Sequence, residues 1–144
     1  MNIEDGIETL FPVGRSAYNP VSVKNNTGAA DAFGILVLDE LYLNGYDEAT
    51  VTEGRVKRTW DITKTNPNAG AGVDFTFNWN AGEAENVTTP ALFHYSGGWT
   101  QQTAGTTSST ATSLTYTGYT GTFSPFGVAD INATLPVTWL SFTV

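Results

Sequence analysis

Side chains that could carry acid–base or nucleophilic chemistry are few in this sequence. His94 is the only histidine, and cysteine is absent. Serine–histidine catalysis would therefore rest on a single base, while thiol catalysis and cysteine-based zinc sites are excluded. The chain has no Gly-x-Ser-x-Gly sequence, and His94 stands beside Tyr95 in a segment with strand character. We interpret His94 as a packing or hydrogen-bonding residue, and we expect no catalytic residue and no enzymatic activity.

Paired carboxylates are the second candidate for catalysis, because two of them about 5–10 Å apart can hydrolyse glycosides. Three pairs occur in the sequence: Asp39 and Glu40, Asp47 and Glu48, Glu83 and Glu85. The first two pairs are adjacent residues, whose side chains point to opposite faces of an extended chain. The third pair could share a face, but nothing beside it marks a sugar cleft. We expect all of these carboxylates to be solvated.

Calcium is the metal that the acidic residues favour, because hard oxygen ligands suit Ca²⁺. Carboxylates concentrate in one predicted loop between residues 39 and 53. The loop lacks an Asp-x-Asp-x-Asp-Gly pattern, so a solvated acidic loop is the alternative interpretation. The candidate Ca²⁺ ligands are Asp39, Glu40, Asp47 and Glu48. We expect no other cofactor.

Aromatic side chains are the candidates for ligand binding, since the sequence holds four tryptophans and six tyrosines. Exposed coplanar rings would form a stacking platform for sugars, as in carbohydrate-binding modules. Trp60 and Trp79 fall on the apolar sides of alternating segments, and we expect both in the core. The rings predicted to be exposed to a ligand are Tyr95, Trp99, Tyr116 and Tyr119.

Alternation of apolar and polar residues with a period of two predicts that β-strands position these side chains. Residues 73–80 and 56–63 give the clearest patterns. Arg58 falls on the apolar side of the second strand, and we expect it to pair with a carboxylate. Residues 33–38 are apolar on both faces, which predicts a central strand covered twice. Further strands are predicted at 18–24, 91–95, 113–117, 122–128 and 135–144.

Turn-forming Asn, Gly and Pro clusters separate these strands, and no window forms a good amphipathic helix. Residues 39–52 are predicted to be a loop. The Gly/Ser/Thr/Ala run at 103–112 is predicted to be a mobile loop or hairpin tip. The whole chain, 1–144, is therefore predicted to be one all-β domain. We expect an antiparallel β-sandwich of immunoglobulin-like or jelly-roll type with no substantial helix.

The charge balance restricts the partners of the chain. Six basic residues stand against fourteen acidic ones, a net charge of −8. Nucleic-acid binding needs Lys and Arg to neutralise phosphates, so nucleic acid is excluded as a partner. No run approaches 18 apolar residues, so no transmembrane segment is predicted. Charged residues make up 14%, against roughly 25% in an average domain. Polarity supplied by Thr, Asn, Gly and Ser is typical of extracellular β-proteins.

The two ends of the chain are predicted to be contact segments. Residues 1–13 form an extended N-terminal segment, and 135–144 form an apolar strand or the lead-in to a following domain. A strand apolar on both faces is an open template for pairing when it lies at a sheet edge. The ends either pair within one sandwich or complete the sheet of the next subunit in a head-to-tail fibre. The predicted assembly residues are Ile7, Leu10, Phe11, Val13, Leu135, Val137, Trp139, Leu140, Phe142 and Val144.

Six segments spread over the chain carry a family resemblance. In order they are FPVG with YNPV, RTWDIT, FNWN, HYSGGW, FSPFGV and LPVTWLSF. Together they resemble a β-domain of secreted Bacteroidota proteins that precedes a C-terminal sorting domain for type IX secretion. The resemblance implies export followed by release or display at the cell surface, and it carries no catalytic motif.

These observations predict a non-catalytic structural or adhesive module of an extracellular or cell-surface assembly. The expected partners are further copies of the chain or neighbouring domains of the same assembly, and self-association through the terminal strands into a filament is the alternative to pairing of the ends within one sandwich. The alternative is a carbohydrate-binding module of a secreted multidomain protein, which would bind glycans. The two hypotheses differ in where the aromatic rings lie, because a binding module exposes them and a structural module buries them.

Overall fold

The computed structural model describes residues 1–133 and Leu135. This part of the chain forms twelve strands and one 3-10 turn, Ala81–Glu83. The strands are β1 (Asn2–Ile3), β2 (Glu8–Phe11), β3 (Val21–Asn25), β4 (Asp31–Leu38), β5 (Arg55–Lys64), β6 (Val73–Asn78), β7 (Ala84–Glu85), β8 (Pro90–Tyr95), β9 (Trp99–Gln101), β10 (Thr106–Ser109), β11 (Ser113–Tyr119) and β12 (Pro125–Asp130). Within the same residues, no helix is long and apolar enough to cross a membrane.

The strands form two antiparallel sheets that pack face to face. The larger sheet has the order β1-β4-β5-β12-β8-β9, with the short β7 paired to β5. The smaller sheet has the order β10-β11-β6-β3-β2. The predicted all-β sandwich without substantial helix is therefore confirmed.

The core between the sheets follows from the period-two pattern of the strands. Val73, Phe75 and Phe77 of β6 are buried, while the residues between them are only partly buried. Trp60 of β5 packs on Phe77 from the opposite sheet, with ring centroids 5.1 Å apart. Trp60 and Trp79 are both buried in this core, as predicted.

A second apolar cluster lies on the outer face of the larger sheet, and we call it the outer cluster. Leu92 of β8 packs in the main core, whereas its neighbours on the strand belong to the second cluster and so point the other way. The loop after β4 folds back over this face. The buried members of the outer cluster are Leu41, Val51, Ala91, Phe93, Trp99, Ala129 and Leu135.

Two predictions about elements are corrected by the fold. The segment 33–38 is not a strand covered on both faces, because β4 lies next to the two-residue strand β1 and Leu36 is 58% exposed. The run 103–112 is not only a loop, because β10 pairs in register with β11 from Thr106↔Thr117 to Ser109↔Leu114. Threonine-rich sequence favours extended structure when an adjacent strand supplies hydrogen bonds. The segment 39–52 is a loop, as predicted.

Candidate functional site

The aromatic residues predicted as an exposed platform are largely internal. Trp99, Tyr116 and Tyr119 are buried, so the exposure expected of them is wrong. Tyr95 is partly exposed. Trp99 is buried because the loop after β4 covers it, and its indole Nε1 donates to the Tyr42 carbonyl at 2.9 Å.

The two tyrosines of β11 lie on the inward face of that strand. The Tyr116 hydroxyl accepts a hydrogen bond from the Gly105 amide at 2.6 Å, and the Tyr119 hydroxyl donates to the Thr122 carbonyl. The pKa of Tyr119 is raised, mainly by burial and to a smaller extent by the neighbouring Tyr116. Both rings therefore stabilise the sandwich and are not available for stacking on a sugar.

His94 lies on the inner face of β8. Its ring centroid is 5.0 Å from that of Phe126, and its Nε2 is 2.5 Å from the Ser124 hydroxyl. Ser124 also donates to the Tyr95 carbonyl. Burial lowers the pKa of His94 to about 4, which makes the ring neutral at pH 7. The interpretation of His94 as a packing and hydrogen-bonding residue is confirmed.

The acidic loop does not assemble its carboxylates into one site. Asp39 accepts hydrogen bonds from the amide and hydroxyl of Ser16 at 3.1 and 2.8 Å, and Asp47 accepts one from Asn44 at 2.8 Å. The part of the chain that the structure describes holds no group of three or more His, Cys, Asp or Glu side chains that could hold a metal ion. The carboxylates predicted as Ca²⁺ ligands, Asp39, Glu40, Asp47 and Glu48, are thus not brought together.

Arg58 is buried and paired, as the sequence predicts. Its guanidinium contacts the Glu83 carboxylate at 2.7 Å and donates to the Asn19 side chain and the Asp39 carbonyl, each at 2.9 Å. Burial raises the pKa of Glu83, but hydrogen bonds from Asn80 and Asn19 and the charge of Arg58 outweigh it and hold the pKa below its usual range. This network ties β5 to the 3-10 turn and to the segment before β3, and it shields the Glu83 side chain from water, so the expectation that Glu83 is solvated is wrong.

The N-terminal segment contains both core residues and exposed apolar ones. Phe11 is buried and Val13 packs against the same core, so these two predicted assembly residues stabilise their own chain. Ile7 and Leu10 are 52% and 50% exposed. Leu135 is buried in the outer cluster. The remaining assembly residues lie outside the described residues: Val137, Trp139, Leu140, Phe142 and Val144.

Among the described residues, β2 is the last strand of the smaller sheet, and no strand pairs with its outer edge. The main-chain N–H of Asn25 donates to the Ile7 carbonyl at 3.2 Å, so Ile7 and Asn25 form a hydrogen-bonded pair. Hydrogen-bonded pairs alternate with non-hydrogen-bonded pairs along an antiparallel ladder. The pairs Glu8↔Lys24 and Leu10↔Ser22 are therefore the non-bonded ones. The N–H and C=O groups of Glu8 and Leu10 therefore point away from β3, and no other strand of the described part of the chain pairs with them.

One surface feature, which the sequence did not predict, lies on the outer face of the larger sheet and includes Tyr46 and Asp61. Tyr46 is 49% exposed, and its ring lies 6.1 Å from that of Tyr95 at an angle of 82°. Asp61 lies on the outer face of β5, one residue after the buried Trp60. The available signal was the Asn44-Gly45 turn, which brings Tyr46 back onto the sheet, but nothing in the sequence pairs this loop with β5.

Comparison with protein-family models, curated proteins and solved structures found no match to this chain.

Proposed function

We propose that this domain is a non-catalytic structural or adhesive module of an extracellular or cell-surface assembly. In this proposal the module associates with further copies through the edge of the smaller sheet. The extracellular location is supported by the low share of charged residues and by the resemblance to secreted Bacteroidota proteins.

The observation that carries the proposal is the edge at β2, which no other strand within residues 1–133 covers. Soluble monomers normally protect such edges with charge, proline, bulges or a covering loop. Here Leu10 is exposed at the centre of the edge, Ile7 is exposed just before it, and the main-chain groups of Leu10 point outward. Glu8 is the only charged residue on the strand. This edge has the apolar side chains and free hydrogen-bonding groups that strand addition uses.

The N-terminal strands themselves are not free to be donated. Strand β1 pairs with β4 and strand β2 pairs with β3 of the same chain. The proposed contact is therefore addition to the β2 edge without exchange of the N-terminal segment. The apolar C-terminal sequence of a neighbouring copy, which includes Trp139 and Phe142, is the proposed added strand, and repetition of that contact would give a filament.

The rival hypothesis of a carbohydrate-binding module is weakened by the position of the rings. Sugar stacking requires two or three coplanar exposed rings, and Trp99, Tyr116 and Tyr119 are buried. Tyr46 and Tyr95 are accessible, but their rings are nearly perpendicular. One sugar ring could therefore not stack on both.

The proposal is tested by sedimentation of the full chain over a range of concentrations. We expect mass to increase with concentration for the natural sequence and to stay at that of a monomer for Leu10→Lys, because a lysine at an edge opposes pairing. Leu36→Lys is the matched control, since Leu36 is also an exposed leucine but lies on the other sheet, and it should assemble normally. A natural chain that stays monomeric, or equal assembly by Leu10→Lys, would contradict the proposal.

A further inference from the structure

The outer face of the larger sheet carries a small site that the proposed assembly does not use. The loop after β4 turns at Gly45 and places Tyr46 against Tyr95 of β8. Gly45 has a φ of +87°, and a Cβ at this position would lie 2.7 Å from Cγ of Tyr95. Only glycine combines the positive φ with the absence of a Cβ that this close approach to Tyr95 requires. The two rings are therefore held in place as the walls of a corner.

Asp61 completes this corner. Its neighbours across the sheet are Leu36 of β4 and Pro125 of β12, and neither can donate a side-chain hydrogen bond. Burial raises the pKa of Asp61. Asp61 pairs with Pro125 and Phe126 pairs with His94, so the register places Asp61 and Tyr95 level with each other on either side of β12. The pKa of Tyr46, whose ring contacts Tyr95, is raised by burial and then by the charge of Asp61. We call Tyr46, Asp61 and Tyr95 the acidic corner.

The Asp61 carboxylate has no hydrogen bond or ion pair within residues 1–133 and 135. A carboxylate that is partly removed from water and has no cationic partner in its own chain interacts more strongly with an added cation than a fully hydrated carboxylate does. The basic residues of the chain do not compensate it: Arg55 and Lys57 pair with Glu85, Arg58 with Glu83 and Lys64 with Asp31. Lys24 lies on the smaller sheet, and the charge of Arg15 acts on Asp39. None of the six basic side chains of the chain therefore forms an ion pair with Asp61.

The chemistry of the corner selects the kind of ligand. The face of an aromatic ring is negative and attracts cations. Two rings at 82° form adjacent walls that can both contact a compact charged group, whereas a flat sugar ring would stack on only one of them. The carboxylate adds a full negative charge and accepts hydrogen bonds from ammonium or guanidinium groups.

We propose that Tyr46, Asp61 and Tyr95 form a binding site for an organic cation, either an alkylammonium or a guanidinium group. The cation is a free small molecule or the lysine or arginine side chain of a partner protein. Leu36, exposed beside Asp61, provides apolar contact for the carbon atoms of the ligand.

The proposal is tested by NMR titration of the full chain with tetramethylammonium chloride, arginine amide and a short peptide containing one arginine, with cellobiose as the uncharged comparison. We expect saturable shifts at the corner with the cations, in the millimolar range for the free cations, and no saturable shift with cellobiose. Asp61→Asn and Tyr46→Leu should each weaken cation binding by about ten-fold or more. Glu48→Gln is the matched control, because it removes one exposed negative charge from the same loop, and it should bind as the natural chain does.

The source of the cation follows from the affinities. Tighter binding of the peptide than of arginine amide identifies a partner side chain, and equal binding identifies a free cation. Melting temperatures check the fold of the variants, and Asp61→Asn should melt higher than the natural chain because an uncharged amide is easier to bury. No saturation by any cation, equal binding by Asp61→Asn, or saturation by cellobiose alone would overturn the proposal. Each of these outcomes is independent of whether the chain self-associates.

Discussion

His94 shows how burial sets the charge of a single side chain in this sandwich. Its pKa falls from 6.5 to about 4 because its ring is packed between the sheets. Between these two values the unfolded chain binds a proton that the folded chain does not bind. The contribution of the neutral His94 to the free energy of unfolding is therefore fully present above pH 6.5 and is lost as the pH falls toward 4.

We expect His94→Gln to reduce this pH dependence, because glutamine can keep a hydrogen bond to Ser124 but takes no proton. Urea unfolding at pH 7 and pH 5 measures the effect. The natural chain should lose about 1–2 kcal/mol more than the variant over this interval. Carboxylates titrate in both proteins and cancel in the comparison. An equal loss in the two proteins would mean that the histidine is not buried.

Trp79 and Trp99 provide a second test at the residue scale. Both are buried, so replacement of either by alanine should cost about 3–5 kcal/mol. Tyr18→Ala is the control, because Tyr18 is exposed and its loss should change stability by less than about 0.5 kcal/mol. Urea unfolding gives all three values. A small cost for Trp99→Ala would show that the loop after β4 does not cover the ring in solution.

At the scale of elements, the buried pair of Arg58 and Glu83 joins β5 to the 3-10 turn. Glu83→Ala would leave a buried guanidinium without its carboxylate, which we expect to cost about 3–5 kcal/mol. The double variant Arg58→Met with Glu83→Leu should recover most of this loss, because an apolar pair needs no compensation. Chemical unfolding of the single and double variants measures the coupling. If the double variant is as unstable as Glu83→Ala, the penalty does not come from the unpaired charge.

The elements also show how far the sequence predicts this protein. The strand at 73–80, the two core tryptophans and the pairing of Arg58 were predictable, because they follow from local alternation and from the cost of an unpaired buried charge. The burial of Trp99 was not, since it depends on a loop that is distant in sequence. The same is true of the acidic corner, whose three residues come from separate segments of the chain and lie on one face of the sheet only through the fold. Strand β10 was missed because its hydroxyl side chains lack an apolar face.

At the scale of the whole molecule, the two sheets differ in how their surfaces are covered. The larger sheet has the outer cluster and the loop after β4 over part of its outer face. The smaller sheet ends in β2 and β10, two edge strands that no further described strand pairs with. Strand β2 has the exposed Leu10, with the exposed Ile7 just before it, whereas β10 has only threonine and serine. This asymmetry is why we place the assembly contact at β2.

Amide hydrogen exchange in dilute and in concentrated solution tests that contact most directly. The amides of Glu8 and Leu10 point away from β3, so they should exchange rapidly in the monomer and become protected when a strand from another copy pairs with them. The exposed edge at β10 serves as the internal control and should exchange equally at both concentrations. Protection of Glu8 and Leu10 in the concentrated sample is the result that the account predicts. Association without protection of these two amides, or no association at all, would contradict it.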